Sequence, residues 1–440
     1  MDAKLPFLTA LLTLFLSLPF SLSAQATDYK LEKVVEISRH GVRPPTAGDR
    51  KLIEAGSQRA WPRWLTEDGN LTGHGYTAVW LKARYESQRY RQLGLLPPGC
   101  PGLQDVYLRA STLQRTQASA EAWSAAAFPG CGVPVHALSH EDPLFSYPSD
   151  KATGAEKARN RQEALAALGG DLQQAKERLQ PQIAALKKAV CRENQPCPVF
   201  EAPWTLKVWS NGGVAIEGLD TLAAMAETLR LAWSENQPAD RVAFDHAHSS
   251  VELSQLLPLL TAKYDYTNDL PSAARQGGSV LLDQIVTALK LDRQPDNLTS
   301  ASDKNEAANS PPDVRWLLYV ASDINIAYLR TLINFTWQQG EYPRGNIPPG
   351  SSLVFERWRD SHGARFLRIY FQSQSLDQIR QLTPPGPEAP LLVTEWQDKG
   401  CRVTSVGTLC PFDTSLQRIE KNIDPLNAPI NSFEASERKP

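Results

Sequence analysis

The sequence lacks an excess of charge of either sign. Its 440 residues carry 46 Lys and Arg against 48 Asp and Glu, a formal net charge of −2. Such a balance offers no basic field to nucleic acid and no acidic tail. Despite 33 prolines there is no collagen-like period, and no internal repeat. Beyond residue 22 no run approaches the roughly 18 uninterrupted apolar residues that a membrane span needs, which argues against a polytopic membrane protein. There is no C-x-x-C, and no histidine lies near the last two pairs of cysteines, so a zinc site built on cysteine has little support. What is present is ordinary globular usage, with 42% hydrophobic and 21% charged residues, which argues against wholesale disorder. The length suggests two or three domains and is ample for a core of normal size.

Lys4 precedes Leu5–Leu22, which is apolar apart from Thr9, Thr13, Ser17 and Ser21, with Pro6 and Pro19 near its ends. Ser23-Ala24-Gln25-Ala26 supplies a small-residue A-x-A exit. Charge, apolar stretch and small-residue exit are the three parts of a secretory signal, here residues 1–26. An N-terminal anchor helix is the alternative, against which Pro19 and the small residues speak. The mature chain is therefore expected to be periplasmic or secreted, with no membrane attachment after cleavage. Six cysteines, Cys100, Cys131, Cys191, Cys197, Cys401 and Cys410, all fall in that mature part. An even number in an oxidising compartment points to disulfides. Of the fifteen connectivities that six cysteines allow, the spacing favours 100–131, 191–197 and 401–410.

Leu31–Ser38 holds Val34, Val35 and Ile37 and reads as a buried strand running into a loop. Thr72–Gly94 reads as an amphipathic helix, Asp105–Ala110 as a short strand, and Thr116–Phe128 as an Ala-rich helix stopped by Pro129-Gly130. This alternation argues for an α/β layer. Ala155–Ala189, Leu219–Trp233, Ser250–Ala262 and Val280–Lys290 all read as helices, so residues 151–290 look like a mainly helical domain inserted between α/β parts at 27–150 and 291–440. Leu291–Asp313 is polar and reads as an exposed connection. Val314–Ala321 reads as another buried strand, followed by a helix over Asp323–Asn334. Ser352–Trp358 and Phe366–Gln372 read as paired strands.

The strongest chemical signal is Arg39-His40-Gly41-Val42-Arg43-Pro44-Pro45. It follows directly on the first strand, and a strand end feeding a loop is where open α/β sheets place their ligands. Gly41 allows close backbone approach. Two guanidiniums flanking one histidine repel unless an anion lies between them, and their planar forks suit phosphate. A solvated basic turn is the alternative. Asp245-His246-Ala247-His248 has metal-like spacing, but a metal site needs three or four ligands. It reads equally as a polar loop before the Ser250 helix, and no metal or cofactor is expected. His74 reads as structural, His136, His140 and His362 have no evident partner in sequence, and the tryptophans read as core and pocket wall.

The heptapeptide resembles the R-H-G-x-R-x-P signature of the histidine acid phosphatases. The likeness continues at Leu71-Thr72, Leu113-Gln114-Arg115-Thr116, Ala127-Phe128-Pro129-Gly130-Cys131, Asp142-Pro143-Leu144-Phe145, Asp323-Ile324-Asn325-Ile326-Ala327, and Pro348-Pro349-Gly350 leading to Leu353–Trp358. It is nearest to the bacterial periplasmic branch of glucose-1-phosphatases and phytases. The resemblance implies a phosphoglycerate-mutase-like α/β domain carrying an inserted helical domain, with the site in the cleft between them. It implies that His40 is the nucleophile and forms a phosphohistidine, that Arg39, Arg43 and Arg115 clamp the phosphate, and that Asp323 gives a proton to the leaving oxygen. Thr46 and Glu227 become candidate pocket residues. Two departures stand out. The family's usual His-Asp pair is Ser322-Asp323 here, so Ser322 is left to supply a phosphate contact without charge. Ala47 stands where relatives acting on phytate often carry lysine. The expected activity is hydrolysis of a small phosphate monoester such as phytate or glucose 1-phosphate. The rivals are a phosphate-ester-binding protein whose turnover is weakened or lost through Ser322, and a metallo-hydrolase centred on Asp245–His248.

Overall fold

The computed structural model describes residues 29–148, 150–292 and 310–425. The expected signal over residues 1–26 and most of the expected connection over 291–313 lie outside the described residues. The strands are β1 (Tyr29–Arg39), β2 (Val106–Ala110), β3 (Val135–His136), β4 (Thr205–Val208), β5 (Val214–Glu217), β6 (Trp316–Ala321), β7 (Ser352–Asp360), β8 (Arg365–Ser373), β9 (Leu392–Glu395), β10 (Arg402–Thr404) and β11 (Gly407–Pro411). Nine of them form one mixed sheet in the order β10-β11-β8-β7-β1-β6-β2-β3, with β9 on β8, while β4 and β5 make a separate hairpin. At its centre β1 runs parallel to β6 and antiparallel to β7.

The apolar residues of β1, Leu31, Val34, Val35 and Ile37, are buried on both faces of the strand, although Lys33 and Glu36 interrupt the run. Val35 and Ile37 pack with Leu317, Tyr319, Leu353 and Phe355 beneath helix Pro271–Lys290. Val34 faces the other way, with Trp316 and Leu318, against helices Gly73–Gln92 and Gln114–Ala127. Helix Pro271–Lys290 begins earlier than the apolar pattern from Val280 suggests, because Gly277 and Gly278 interrupt that pattern. A Cβ on Gly277 would meet the Tyr328 ring at 2.3 Å, so helix and ring could not approach this closely with a larger residue. This helix shares its core with the sheet. Two of the other expected helices are broken into shorter ones. Residues 155–189 divide into Gly154–Ala167, Leu172–Arg178 and Gln180–Val190, the first break falling at Gly169 and Gly170, both at positive φ. Pro258 opens a new helix, Pro258–Lys263, which runs into a π-helical turn, Tyr264–Asn268. The hairpin β4–β5 and strands β9 to β11 are too short for a periodic pattern to be legible in sequence, whereas helix Phe412–Glu420 buries Phe412, Ser415, Leu416 and Ile419 at helical spacing and goes unread only because it is brief.

All six cysteines pair as the spacing suggests: Cys100–Cys131, Cys191–Cys197 and Cys401–Cys410. The first closes a loop with a sequence separation of 31. Replacing both of its cysteines by serine is expected to cost about 3–4 kcal/mol, read by urea denaturation, and replacing Cys191 and Cys197 less. Equal losses would show that loop length is not what these links act through.

A second buried feature lies under the first strand. Lys82 Nζ is 3.2 Å from Glu36 Oε1 and 2.8 Å from Glu86 Oε1, and all three residues are buried. One ammonium does not comfortably hold two desolvated carboxylates charged. Burial, and then the charge of Glu36, push Glu86 up to about 8 from an ordinary 4.5. A raised carboxyl contributes stability that is fully present below 4.5 and is lost as pH rises through about 8. Thermal melts are therefore expected to show the melting temperature falling between about pH 5 and about pH 8, and falling less in Glu86→Gln. Parallel curves for the two proteins would rule this out.

Candidate active site

The register of β1 against β6 places Arg39 beside Ala321, so the loops leaving the two strands emerge together. The His40 amide donates to the Ala321 carbonyl at 3.0 Å, and the His40 carbonyl accepts from the Gly350 amide at 3.0 Å. Gly41 is required by close approach, since a Cβ there would stand 2.8 Å from the Gly75 carbonyl and from Leu71. The Leu71-Thr72 segment recognised in the sequence thus opens the helix that presses on the loop, with Thr72 capping it through the Gly75 amide.

His40 is 1% exposed. Its Nδ1 lies 2.8 Å from the Gly41 carbonyl, which only accepts, so Nδ1 carries the proton and Nε2 keeps its lone pair. Burial, then Arg39, Arg43 and Arg115, hold the imidazole well below the ordinary histidine range. It therefore stays neutral in acid. Arg39 is fixed by the Ile347 carbonyl at 2.5 Å and by Glu227 at 2.5 Å, with its Nε 3.9 Å from Asp323. Arg43 reaches the Pro44 carbonyl at 2.8 Å and Arg115 the Gly69 carbonyl at 3.3 Å. The buried Nε atoms of Arg39, Arg43 and Arg115 have no hydrogen-bond acceptor among the described residues. Three orphaned guanidinium donors converging on one imidazole are what an anion site presents. Burial and then Arg43 lower Arg115 to about 10, as expected of crowded like charges.

Asp323 begins helix Asp323–Leu332 and accepts a hydrogen bond from the Tyr264 hydroxyl on Oδ2. Burial would raise its pKa, but Arg39 and then the Tyr264 hydrogen bond outweigh it, and the carboxyl is held below the usual carboxylate range. Tyr264 is the residue that sequence reasoning missed. It lies in the π-helical turn, and only the fold brings it to Asp323. Glu227, 16% exposed at its side chain, accepts from both Arg39 and Arg230 and so holds Arg39 in place. Thr46 caps helix Ala47–Ser57 through the Asp49 amide at 3.1 Å. It also borders Gly69, which carries the carbonyl that holds Arg115.

Ser322 takes the N-cap position before Asp323. Its hydroxyl donates to Asn325 Oδ1 at 2.7 Å, and its amide to the same oxygen at 3.1 Å. The one proton it could offer a phosphate is thus directed to Asn325. The remaining histidines stand apart from this cluster. His74 Nε2 bonds the Ile379 carbonyl at 2.8 Å, His136 stacks on Tyr107 with ring centroids 4.1 Å apart, and the His140 and His362 side chains lie at the surface. Asp245 and His248 are exposed, the His248 ring lying 3.1 Å from the Asp245 carbonyl. No group of three or more His, Cys, Asp or Glu is placed to hold a metal among the described residues. Nor is any described helix long and apolar enough to cross a membrane.

Comparison with known proteins shows the family and the fold that this chain resembles. The family described as histidine phosphatase superfamily, branch 2, matches residues 30–372. A glucose-1-phosphatase of Salmonella typhimurium is 29% identical over 415 residues, covering 89% of this chain and 93% of the relative. A phytase of Escherichia coli is 29% identical over 425 residues, covering 92% and 94%. The crystal structure of a phytase from Klebsiella sp ASR1 is 47% identical and superposes with a TM-score of 0.85, covering 93% of this chain and 100% of that one.

Proposed function

Because the chain belongs to the histidine phosphatase superfamily, branch 2, we propose that it is an exported acid phosphomonoesterase that turns over through a phosphohistidine at His40. The observation that carries this reading is the buried His40 ring, its Nδ1 2.8 Å from the Gly41 carbonyl, set among the charges of Arg39, Arg43 and Arg115. Nε2 attacks phosphorus as the bond from phosphorus to the ester oxygen breaks, and Asp323 gives its proton to the leaving oxygen. Water then attacks the phosphohistidine, Asp323 takes the proton, and inorganic phosphate and His40 are regenerated. Arg39, Arg43 and Arg115 neutralise the phosphoryl oxygens throughout. A bound phosphate engages Arg39 and places negative charge beside Asp323. Both effects raise the carboxyl, so substrate binding itself loads the acid with its proton. Export is supported by the leader-like residues 1–26 and by the three disulfides. Relatives named glucose-1-phosphatase and phytase support glucose 1-phosphate and phytate as substrates to try first. The test is phosphate release from a panel of monoesters at about pH 5, near carboxylate and histidine pKa values, with and without EDTA. Activity abolished by the chelator would defeat the proposal.

A second reading, phosphate-ester binding with weakened turnover, draws on the commitment of the Ser322 hydroxyl to Asn325. An assay with p-nitrophenyl phosphate at about pH 5 separates the two, turnover supporting the first reading and binding without turnover the second. Ser322→Ala is expected to cost about 1 kcal/mol of stability as a lost helix cap, with only a modest loss of kcat/KM. Ser322→His offers the phosphate a cationic donor and is expected to raise kcat/KM about tenfold. The rise should be largest below about pH 6, where the new ring is protonated. A well-folded but inactive Ser322→His would show that the pocket has closed around the smaller side chain.

A further inference from the structure

Helix Leu219–Ser234 is largely buried, yet it carries Glu227 and Arg230 one turn apart, and Arg230 is 1% exposed. A desolvated guanidinium is costly unless it is paired and hydrogen-bonded. Arg230 is paired: one Nη donates to Glu227 Oε2 and the other to Asn346 Oδ1. Arg39 is held at the same two places, by Glu227 Oε1 at 2.5 Å and by the carbonyl of Ile347, next to Asn346, at 2.5 Å. Trp337 Nε1 ties that segment down by donating to the Asn346 carbonyl at 2.7 Å. Glu227 thus bridges a guanidinium of the phosphate clamp and one that the clamp does not include.

Arg39 also stands between two carboxylates. Its Nη2 is 2.5 Å from Glu227 and its Nε 3.9 Å from Asp323. While Glu227 is charged, the shorter pair is with Glu227, and Asp323 is left able to take up a proton. Were Glu227 neutral, Asp323 would be the carboxylate left to Arg39, and a tighter pair would keep Asp323 ionised. The charged and titratable groups facing Glu227 are Arg39 and Arg43 from β1 and the loop after it, Arg230 from its own helix, Asp323, and the Tyr264 hydroxyl. Burial pushes Glu227 up, but Arg230, and then Arg39, outweigh it and hold the carboxyl below its ordinary value.

We propose that Arg230 is a positioning residue for the reaction: it keeps Glu227 a carboxylate in acid, and Glu227 in turn keeps Arg39 on the phosphate and off Asp323. This rests on the phosphomonoesterase reading and adds to it the group that lets the clamp keep its geometry at acidic pH.

The test is the pH profile of kcat/KM on methyl phosphate and p-nitrophenyl phosphate for the wild type, Arg230→Met, Arg230→Lys and Glu227→Gln. Without Arg230, burial raises Glu227, which then becomes neutral in acid and stays charged near neutrality. Arg230→Met is therefore expected to lose about tenfold more activity at about pH 4.5 than at about pH 6.5. The acid loss should be larger on methyl phosphate, whose leaving oxygen needs the proton of Asp323, than on p-nitrophenyl phosphate. Arg230→Lys keeps the charge and is expected to recover most of that loss. Glu227→Gln is expected to lose activity at every pH. Adding Arg230→Met to it should change the profile no further, because Arg230 then has no carboxylate to act through. The double variant leaves no buried carboxylate unpaired at this position, and it decides the matter if Arg230→Met alone does not fold. No loss, or an equal loss at every pH as from a packing defect, in a folded Arg230→Met would overturn the proposal. So would a double variant less active than Glu227→Gln. A wild type that hydrolyses neither ester would instead overturn the phosphatase reading, and the role of Arg230 with it.

Discussion

His40→Ala is expected to abolish phosphate release, with kcat lower by about four orders of magnitude or more. No other histidine stands near the clamp: His74 is engaged with the Ile379 carbonyl, and His136 with Tyr107. Wild type quenched during turnover should retain phosphate that is labile to acid and stable to base, and peptide mapping should place it on His40. The ring is held below the ordinary histidine range by burial and by three arginines. Acidification therefore does not protonate the nucleophile until well under the usual imidazole pKa, and the acid limb of kcat/KM should lie correspondingly low. Residual activity in the alanine variant, or phosphate recovered on a serine, would remove the mechanism.

Asp323→Asn is expected to lower kcat on alkyl phosphates by about 10²–10⁴-fold, the usual worth of a positioned general acid. The loss should be much smaller for p-nitrophenyl phosphate, whose leaving oxygen needs no proton. With that ester the phosphohistidine should accumulate as a burst, because the same carboxylate assists the attacking water. Tyr264→Phe provides the companion measurement. The Tyr264 hydroxyl donates to Asp323 and favours its charged form. Without that donor the carboxyl pKa rises, the acid stays protonated to higher pH, and the alkaline limb of kcat moves upward. A limb that stays in place would mean that Arg39 alone sets the acid. Uniform losses across good and poor leaving groups in Asp323→Asn would mean that Asp323 positions the phosphate rather than protonating the ester.

Arg39, His40 and Arg43 can be read from sequence as a candidate anion site because they lie within five residues and the two guanidiniums repel unless an anion lies between them, whereas Arg115 enters only through the family resemblance. Glu227 and Ser322 show the opposite case. Both were candidate pocket or phosphate groups, yet Glu227 is taken by Arg39 and Arg230, and the Ser322 hydroxyl by Asn325. A carboxylate or hydroxyl is satisfied by whichever partner the fold brings nearest, and residue type does not reveal which.

The sequence by itself determined the α/β layer, through the apolar Val34, Val35 and Ile37 of β1 and the alternation of strands with helices. It favoured the local disulfide pairs that the structure shows, and it marked the Arg39–Arg43 loop as a candidate anion site. Only the tertiary structure decided what surrounds that chemistry. The parallel register of β1 and β6 brings the start of the Asp323 helix to the His40 loop, and Tyr264 arrives from a π-helical turn to donate to Asp323. Periodicity and turn chemistry act over a few residues and can be read along a chain. Which side chains then share one cleft depends on register and packing between distant segments, and no stretch of sequence specifies that alone.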